Sequence, residues 1–322
     1  MFSIHKKIEN GFDKIILQDD LLGTSAEIIP ACSAILHAFS VKNNGDTVNV
    51  IESYSSLEDF KENVTEKGFR GCKLSPFVCR LYNGTYTFGG TEYHIQKSLP
   101  AKHSLHGILY DKAFEVTAQH IDEEGASVTM KHSYNGEDAG YPFKYDCVVT
   151  WKLESENKLS VTTECINKDE GLIQIQDGWH PYFTLGDSID DLYLEFQSME
   201  KLEFNDELIP TGKLFEYDTF NSLQKMGTTF LDNCFTLNLE TCQPMCVLRS
   251  NEKNIQVEFH PTPSYPYLQI YTPPNRKSIA IENISGAPDG FNNKIGIQTL
   301  EHCQSALFKT TYKITLLNKN HD

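Results

Sequence analysis

Along most of the chain apolar and polar residues alternate with period two, the spacing that turns one face of a β-strand into a core. Tyr145, Cys147, Val149, Trp151 and Leu153 occupy alternate positions, with Asp146, Val148, Thr150 and Lys152 between them. Ala126, Val128 and Met130 repeat the pattern. So do Ile255, Val257 and Phe259, which follow the turn-forming stretch SNEKN at 250–254. Tyr312, Ile314 and Leu316 alternate in the same way and predict a closing strand. Helical spacing is rare. In SSLEDFKENVTEKGF (55–69), Ser55 with Glu58 has the form of a capping box, and Leu57, Phe60 and Val64 share one helical face. No internal repeat, low-complexity tract or Pro/Gly/Ser linker divides the chain. The expected fold is therefore all-β: one large antiparallel β-sandwich with few short helices, a single domain over residues 1–322.

Composition agrees with a folded core. Hydrophobic residues make up 39% of the 322 positions and charged residues 22%, and 19 Phe with 15 Tyr favour strands over helices. Lys, Glu and Asp interrupt every apolar cluster in the first thirty residues, and nowhere do eighteen apolar residues run together, so neither a signal peptide nor a membrane span is expected. Nine cysteines, an odd number with no CxxC pair, predict free thiols and a cytoplasmic protein rather than a disulfide framework or zinc ribbon. A net charge of −16 argues against a nucleic-acid partner, because phosphate binding needs a basic face. An uncharged small molecule fits that balance better.

Dinucleotide, P-loop, nucleophile-elbow and zinc-protease signatures (GxGxxG, GxxxxGK[ST], GxSxG, HExxH) are all absent from the sequence. What remains are histidines and carboxylates beside strand-breaking residues. His106 precedes Gly107 at a strand or loop boundary, and either a turn histidine or a functional side chain suits that position. His103 and His106 have an HxxH spacing, but no third ligand accompanies them and no metal is expected. His180 lies in DGWHPYFTLG, where Pro181 restricts it to extended geometry and so fixes the direction of its imidazole. The neighbouring Trp179 and Tyr182 offer aromatic walls for a sugar ring, whose C–H face packs on such surfaces. Glu282 ends the alternating run KSIAIEN beside the loop NISGAPDGFNN, a place from which a carboxylate can face a cleft.

Taken in order, CRLYNGTYTFGGTEYHI (79–95), SLHGILYDKAFEV (104–116), GYPFKYDCVVTWKL (140–153), DGWHPYFTLG (177–186), LDNCF (231–235), PYLQIYTP (266–273) and IAIENISGAPDGFNN (279–293) resemble the aldose 1-epimerase (galactose mutarotase-like) family. The resemblance runs from about residue 25 to the end and implies a large antiparallel sandwich with a sugar site in a groove on one sheet. It also implies roles: Glu282 as base, His180 as general acid, His106 as a hydrogen bonder near the ring oxygen, and Arg80 and Asp232 as binders of substrate hydroxyls. The implied reaction interconverts α and β anomers of an aldohexose such as glucose or galactose, without metal or organic cofactor, in a monomer or homodimer. Where some mutarotases carry an Asn-His-Ser-containing central motif, this chain has Gly178-Trp179-His180-Pro181, which leaves the preferred sugar open. Three other readings follow the same residues. A hexose-6-phosphate 1-epimerase would need cations for the phosphate, and the chain has only four arginines, at 70, 80, 249 and 276. A non-catalytic carbohydrate-binding protein would keep the groove and lose the acid and base. A glycosidase would pair Asp232 with Glu282.

Overall fold

In a computed structural model, residues 1–97, 102–198, 200–240 and 243–317 are described. Two nine-stranded, largely antiparallel sheets dominate, and a five-stranded N-terminal meander from Phe2–Glu9 to Asp46–Asn49 completes the large-scale architecture. The first large sheet runs in the order Glu115–Ile121, Gly125–Tyr134, Tyr145–Glu154, Lys158–Asn167, Ser305–Leu316, Ile255–Pro261, Cys246–Ser250, Tyr193–Phe196 and Gln224–Lys225. The second centres on Asp232–Thr236, Tyr267–Tyr271, Ile279–Ile284 and Gly178–Trp179, with Tyr182–Phe183 also pairing to Ile279–Ile284. The β-sandwich read from the alternation is therefore present.

The alternating positions decide which residues meet between the sheets. Tyr145, Cys147, Val149, Trp151 and Leu153 are all buried, as are Ala126, Val128 and Met130, and Ile255, Val257 and Phe259. From the opposing sheet, Phe183 meets Phe259 with ring centroids 4.8 Å apart, Trp179 meets Trp151 at 5.3 Å and Phe235 meets Phe196 at 4.7 Å. Edge-to-face and tilted geometries like these suit the ring quadrupoles. At the closing strand, Tyr312 and Ile314 are buried but Leu316, the last residue of the strand, is 38% exposed. The helix spans Leu57–Asn63 and is capped one residue later than the sequence pattern suggests: Ser56 Oγ accepts from the Asp59 N–H, while the Asp59 carboxylate accepts from the Ser55 backbone and hydroxyl. Asp59 rather than Glu58 is thus the acidic partner of the cap, its carboxylate held by Ser55, the residue before the N-cap.

All described cysteines are unpaired, and only Cys303 among them is exposed; Cys242 lies outside the described residues. No helix among the described residues is long and apolar enough to cross a membrane.

Candidate active site

The outer face of the second sheet carries the site, and strand register assembles it. Glu282 on Ile279–Ile284 lies opposite Gln269 on Tyr267–Tyr271, and Gln269 lies opposite Cys234 on Asp232–Thr236. Two residues along, Ala280, Tyr271 and Asp232 form the next row on the same face. Because side chains two apart share a face, Leu268, Ile270, Ile279 and Ile281 fill the sandwich core while Gln269, Tyr271, Glu282 and Asp232 face out. These residues, with Thr65, Glu66, Gly68, Phe69, Cys79, Arg80, Leu105, His106, His180 and Tyr182, line a cleft of about 260 Å³. That volume is slightly below the range of drug-sized ligand pockets and suits a small molecule.

His180 is held through its backbone: its N–H donates to the Cys72 carbonyl at 3.1 Å, and its own carbonyl accepts from Gly71 at 2.8 Å. Its ring stacks on Tyr182 at 5.1 Å, meets the His106 ring edge-on at 4.8 Å, and places Nε2 3.3 Å from Glu282 Oε1. His106 adopts a left-handed φ of 61° immediately before Gly107, where an added Cβ would lie 2.2 Å from the Ser75 carbonyl oxygen. The strained conformation of a non-glycine residue is fixed by the pairing of Leu105 with Arg80 and by the His106 N–H donating to Cys79 at 2.8 Å. A turn at that point therefore aims the imidazole into the cleft.

Burial dominates the electrostatics. Desolvation pushes the Glu282 carboxyl well above its ordinary range, and Asp232 adds repulsion that Arg80 partly offsets. His180 is lowered to about 3 by the same desolvation, and His106 is lowered by burial first, then by His180 and Arg80. Asp232 is raised by burial, against Arg80 and a 3.0 Å hydrogen bond donated by Gln269. The 3.3 Å Nε2–Oε1 contact joins two groups that burial holds in their uncharged forms, so the His180–Glu282 pair holds one proton, on the Glu282 carboxyl, with no net charge.

Of the sequence-derived candidates, His106, His180, Glu282, Arg80, Asp232 and Tyr182 all line this one cleft. Trp179 does not. It is 1% exposed, packs against Trp151, and receives the Lys73 ammonium 4.5 Å from its ring centroid. In extended backbone, neighbours point oppositely, so sending His180 and Tyr182 into the cleft sends Trp179 into the core. His103 also departs from the HxxH pattern: its Nδ1 accepts from the Asn83 N–H at 3.0 Å and its ring lies near Tyr82, while the donors grouped around His106 are Cys79 and Glu282. Cys79, Gln269 and Tyr271 join the cleft without a motif of their own, although the polar alternation in PYLQIYTP carries the signal for the last two.

A sequence model of the family described as aldose 1-epimerase matches residues 13–313. The aldose 1-epimerase of Streptococcus thermophilus is 24% identical over 244 residues, covering 70% of this chain and 68% of that protein. Among solved structures, a galactose mutarotase-like protein from Clostridium acetobutylicum superposes with a TM-score of 0.85 at 18% identity, covering 98% of this chain and 99% of that one. A galactose 1-epimerase from Lactobacillus acidophilus gives 0.80 at 20% identity, with 99% of each chain covered.

Proposed function

The chain belongs to the aldose 1-epimerase family of isomerases, and on that premise we propose that it interconverts the anomers of a free aldohexose by acid–base ring opening in the cleft of Glu282 and His180. The observation that carries this reading is the 3.3 Å approach of His180 Nε2 to Glu282 Oε1 in a site where both are almost fully buried. Ring opening needs one proton taken from the anomeric hydroxyl and one given to the ring oxygen. With the pair's one proton moved to His180, the Glu282 carboxylate accepts the hydroxyl proton and His180 Nε2 donates to the ring oxygen. The products are the open aldehyde, a carboxylic acid and a neutral imidazole. These are the two proton arrangements of the same pair, so the buried site keeps its charge throughout. After rotation about C1–C2, Glu282 returns a proton to the aldehyde oxygen, His180 recovers one from the ring-oxygen hydroxyl, and the ring recloses on the other face. Each positioned acid or base contributes about 10²–10⁴-fold.

His106 faces the same space and donates or accepts near the ring oxygen, and Arg80 with Asp232 takes the remaining hydroxyls. Tyr182 and Phe69 supply apolar walls. Arg80 is the one Arg or Lys among the described residues lining the cleft, beside Glu66, Asp232 and Glu282, while Arg70 is engaged by Glu52 at 3.0 Å. This balance favours an uncharged sugar over a hexose phosphate. The proposal takes the whole chain as one domain, acting in the cytoplasm on a monosaccharide. It is tested by polarimetry of freshly dissolved α-D-glucose and α-D-galactose with the purified protein and EDTA. Accelerated relaxation supports it; no acceleration of either sugar, with acceleration of glucose 6-phosphate, overturns the choice of substrate.

A further inference from the structure

Cys79 has no part in the acid–base chemistry, yet it stands in the cleft wall. It is 4% exposed, adopts a left-handed φ of 50°, and accepts the His106 N–H through its carbonyl. One ligand atom each from Cys79, His106 and Glu282 lie within 4.8 Å of one another. A tetrahedral zinc site with ordinary Zn–S, Zn–N and Zn–O bonds places its donors about 3.4–3.6 Å apart, so rotamer adjustments of about 1 Å would close this one. A second observation points the same way: His106 Nδ1 and Glu282 Oε2 are buried without a hydrogen-bond partner among the described residues, as is Nδ1 of the adjacent His180.

We propose that Cys79, His106 and Glu282 form a latent binding site for a soft divalent cation of the Zn²⁺ type, which blocks the cleft against sugar. Thiolate, imidazole and carboxylate together suit zinc rather than Mg²⁺ or Ca²⁺, which prefer oxygen donors throughout. Binding releases the Cys79 thiol proton and the proton held by the His180–Glu282 pair. The resulting Zn²⁺ with one thiolate and one carboxylate is neutral overall, which a buried site tolerates. Arg80 opposes the cation and Asp232 offsets Arg80. The ion occupies the base itself, so inhibition competes with the sugar; this consequence rests on the epimerase reading, whereas the binding does not.

The test uses the intact protein with Co²⁺ and Zn²⁺. Co²⁺ bound to a thiolate gives a near-ultraviolet charge-transfer band that reports Cys79 directly, without any activity measurement. Wild-type protein should develop the band, Zn²⁺ should abolish it, and Cys79→Ser should lack it. His106→Gln should weaken it, which covers the case in which the serine variant fails to fold. In the anomer-exchange assay, with each variant referred to its own metal-free rate, Cys79→Ser should raise the half-inhibitory Zn²⁺ concentration at least about tenfold, because the softest ligand is gone. Mg²⁺ should leave the rate unchanged. A band or an inhibition that is equal in wild type and Cys79→Ser overturns the site. Absence of anomer exchange with the band intact overturns the epimerase reading and not the metal site.

Discussion

The segment that delivers His180 to the cleft is anchored from behind by a buried ion pair, and breaking it has a calculable cost. Lys73 Nζ donates to Asp177 Oδ1 at 2.6 Å and to the Gly178 carbonyl at 2.9 Å, and both side chains are fully buried. Tyr265 donates a second hydrogen bond to the same carboxylate oxygen at 2.6 Å. Burial still holds the Asp177 carboxyl above its usual range despite Lys73, a mark of how dry the site is. Replacing one partner, as in Lys73→Met, leaves an uncompensated buried charge at about 3–5 kcal/mol. For 322 residues, an unfolding entropy of about 2.1 cal/mol/K per residue makes 1 kcal/mol worth about 1.5 °C, so the single variant should lose about 4–7 °C in Tm. The double variant Lys73→Met/Asp177→Leu removes both charges and should recover most of that loss. Differential scanning calorimetry of the two single variants and the double variant measures the coupling. Additive losses, or a Lys73→Met shift below about 1.5 °C, would refute the idea that the pair matters as a unit.

Other consequences are more local. In the folded state the His180–Glu282 pair holds one proton, whereas the unfolded pair holds two below about pH 4.5, one up to about 6.5 and none above, from the ordinary ranges of the two groups. Above pH 6.5, and up to the raised folded-state pKa of Glu282, the native state therefore binds more protons, and stability falls as pH rises, by at most about 1.4 kcal/mol per pH unit. Urea unfolding at pH 7 and 8.5 should show the wild type losing stability relative to Glu282→Gln, and parallel behaviour contradicts the proton held by the pair. Gly68→Ala should raise KM for the sugar, because its Cβ would lie 2.4 Å from the Tyr182 hydroxyl at a φ of +74°; an unchanged KM would separate that loop from binding. Trp179→Phe should lower Tm through lost packing on Trp151 while leaving KM unchanged, and a raised KM would return the indole to the cleft.

Much of this was legible along the chain, for reasons that are local. The core face of Tyr145–Glu154 follows from its alternation alone, and His106 and His180 stand out because each sits at a break in a strand pattern, whereas Glu282 lies inside Ile279–Ile284 rather than at its end, because Asn283 and Ile284 go on pairing with Leu268 and Tyr267. Trp179 sits in the core and not in the aromatic wall expected of it, as the same period of two, applied outward from His180, requires. Gln269 and Tyr271 join the site through the register of Tyr267–Tyr271 against Ile279–Ile284, a non-local pairing that no short window contains. Cys79 reads as one more buried thiol until the Leu105–Arg80 pairing sets it beside His106. The helix cap shifted by one residue because Ser55 and Ser56 are equivalent as sequence, and Asp59 reaches both.

The central claim is that Glu282 and His180 exchange protons with the sugar. Magnetisation-exchange NMR between the α and β anomeric proton signals of glucose and galactose, with wild type, Glu282→Gln and His180→Ala at equal concentration, tests it most directly. Wild type should accelerate exchange, and each variant should lose at least about 10²-fold with an intact fold by circular dichroism. Either variant exchanging anomers at the wild-type rate would contradict the account.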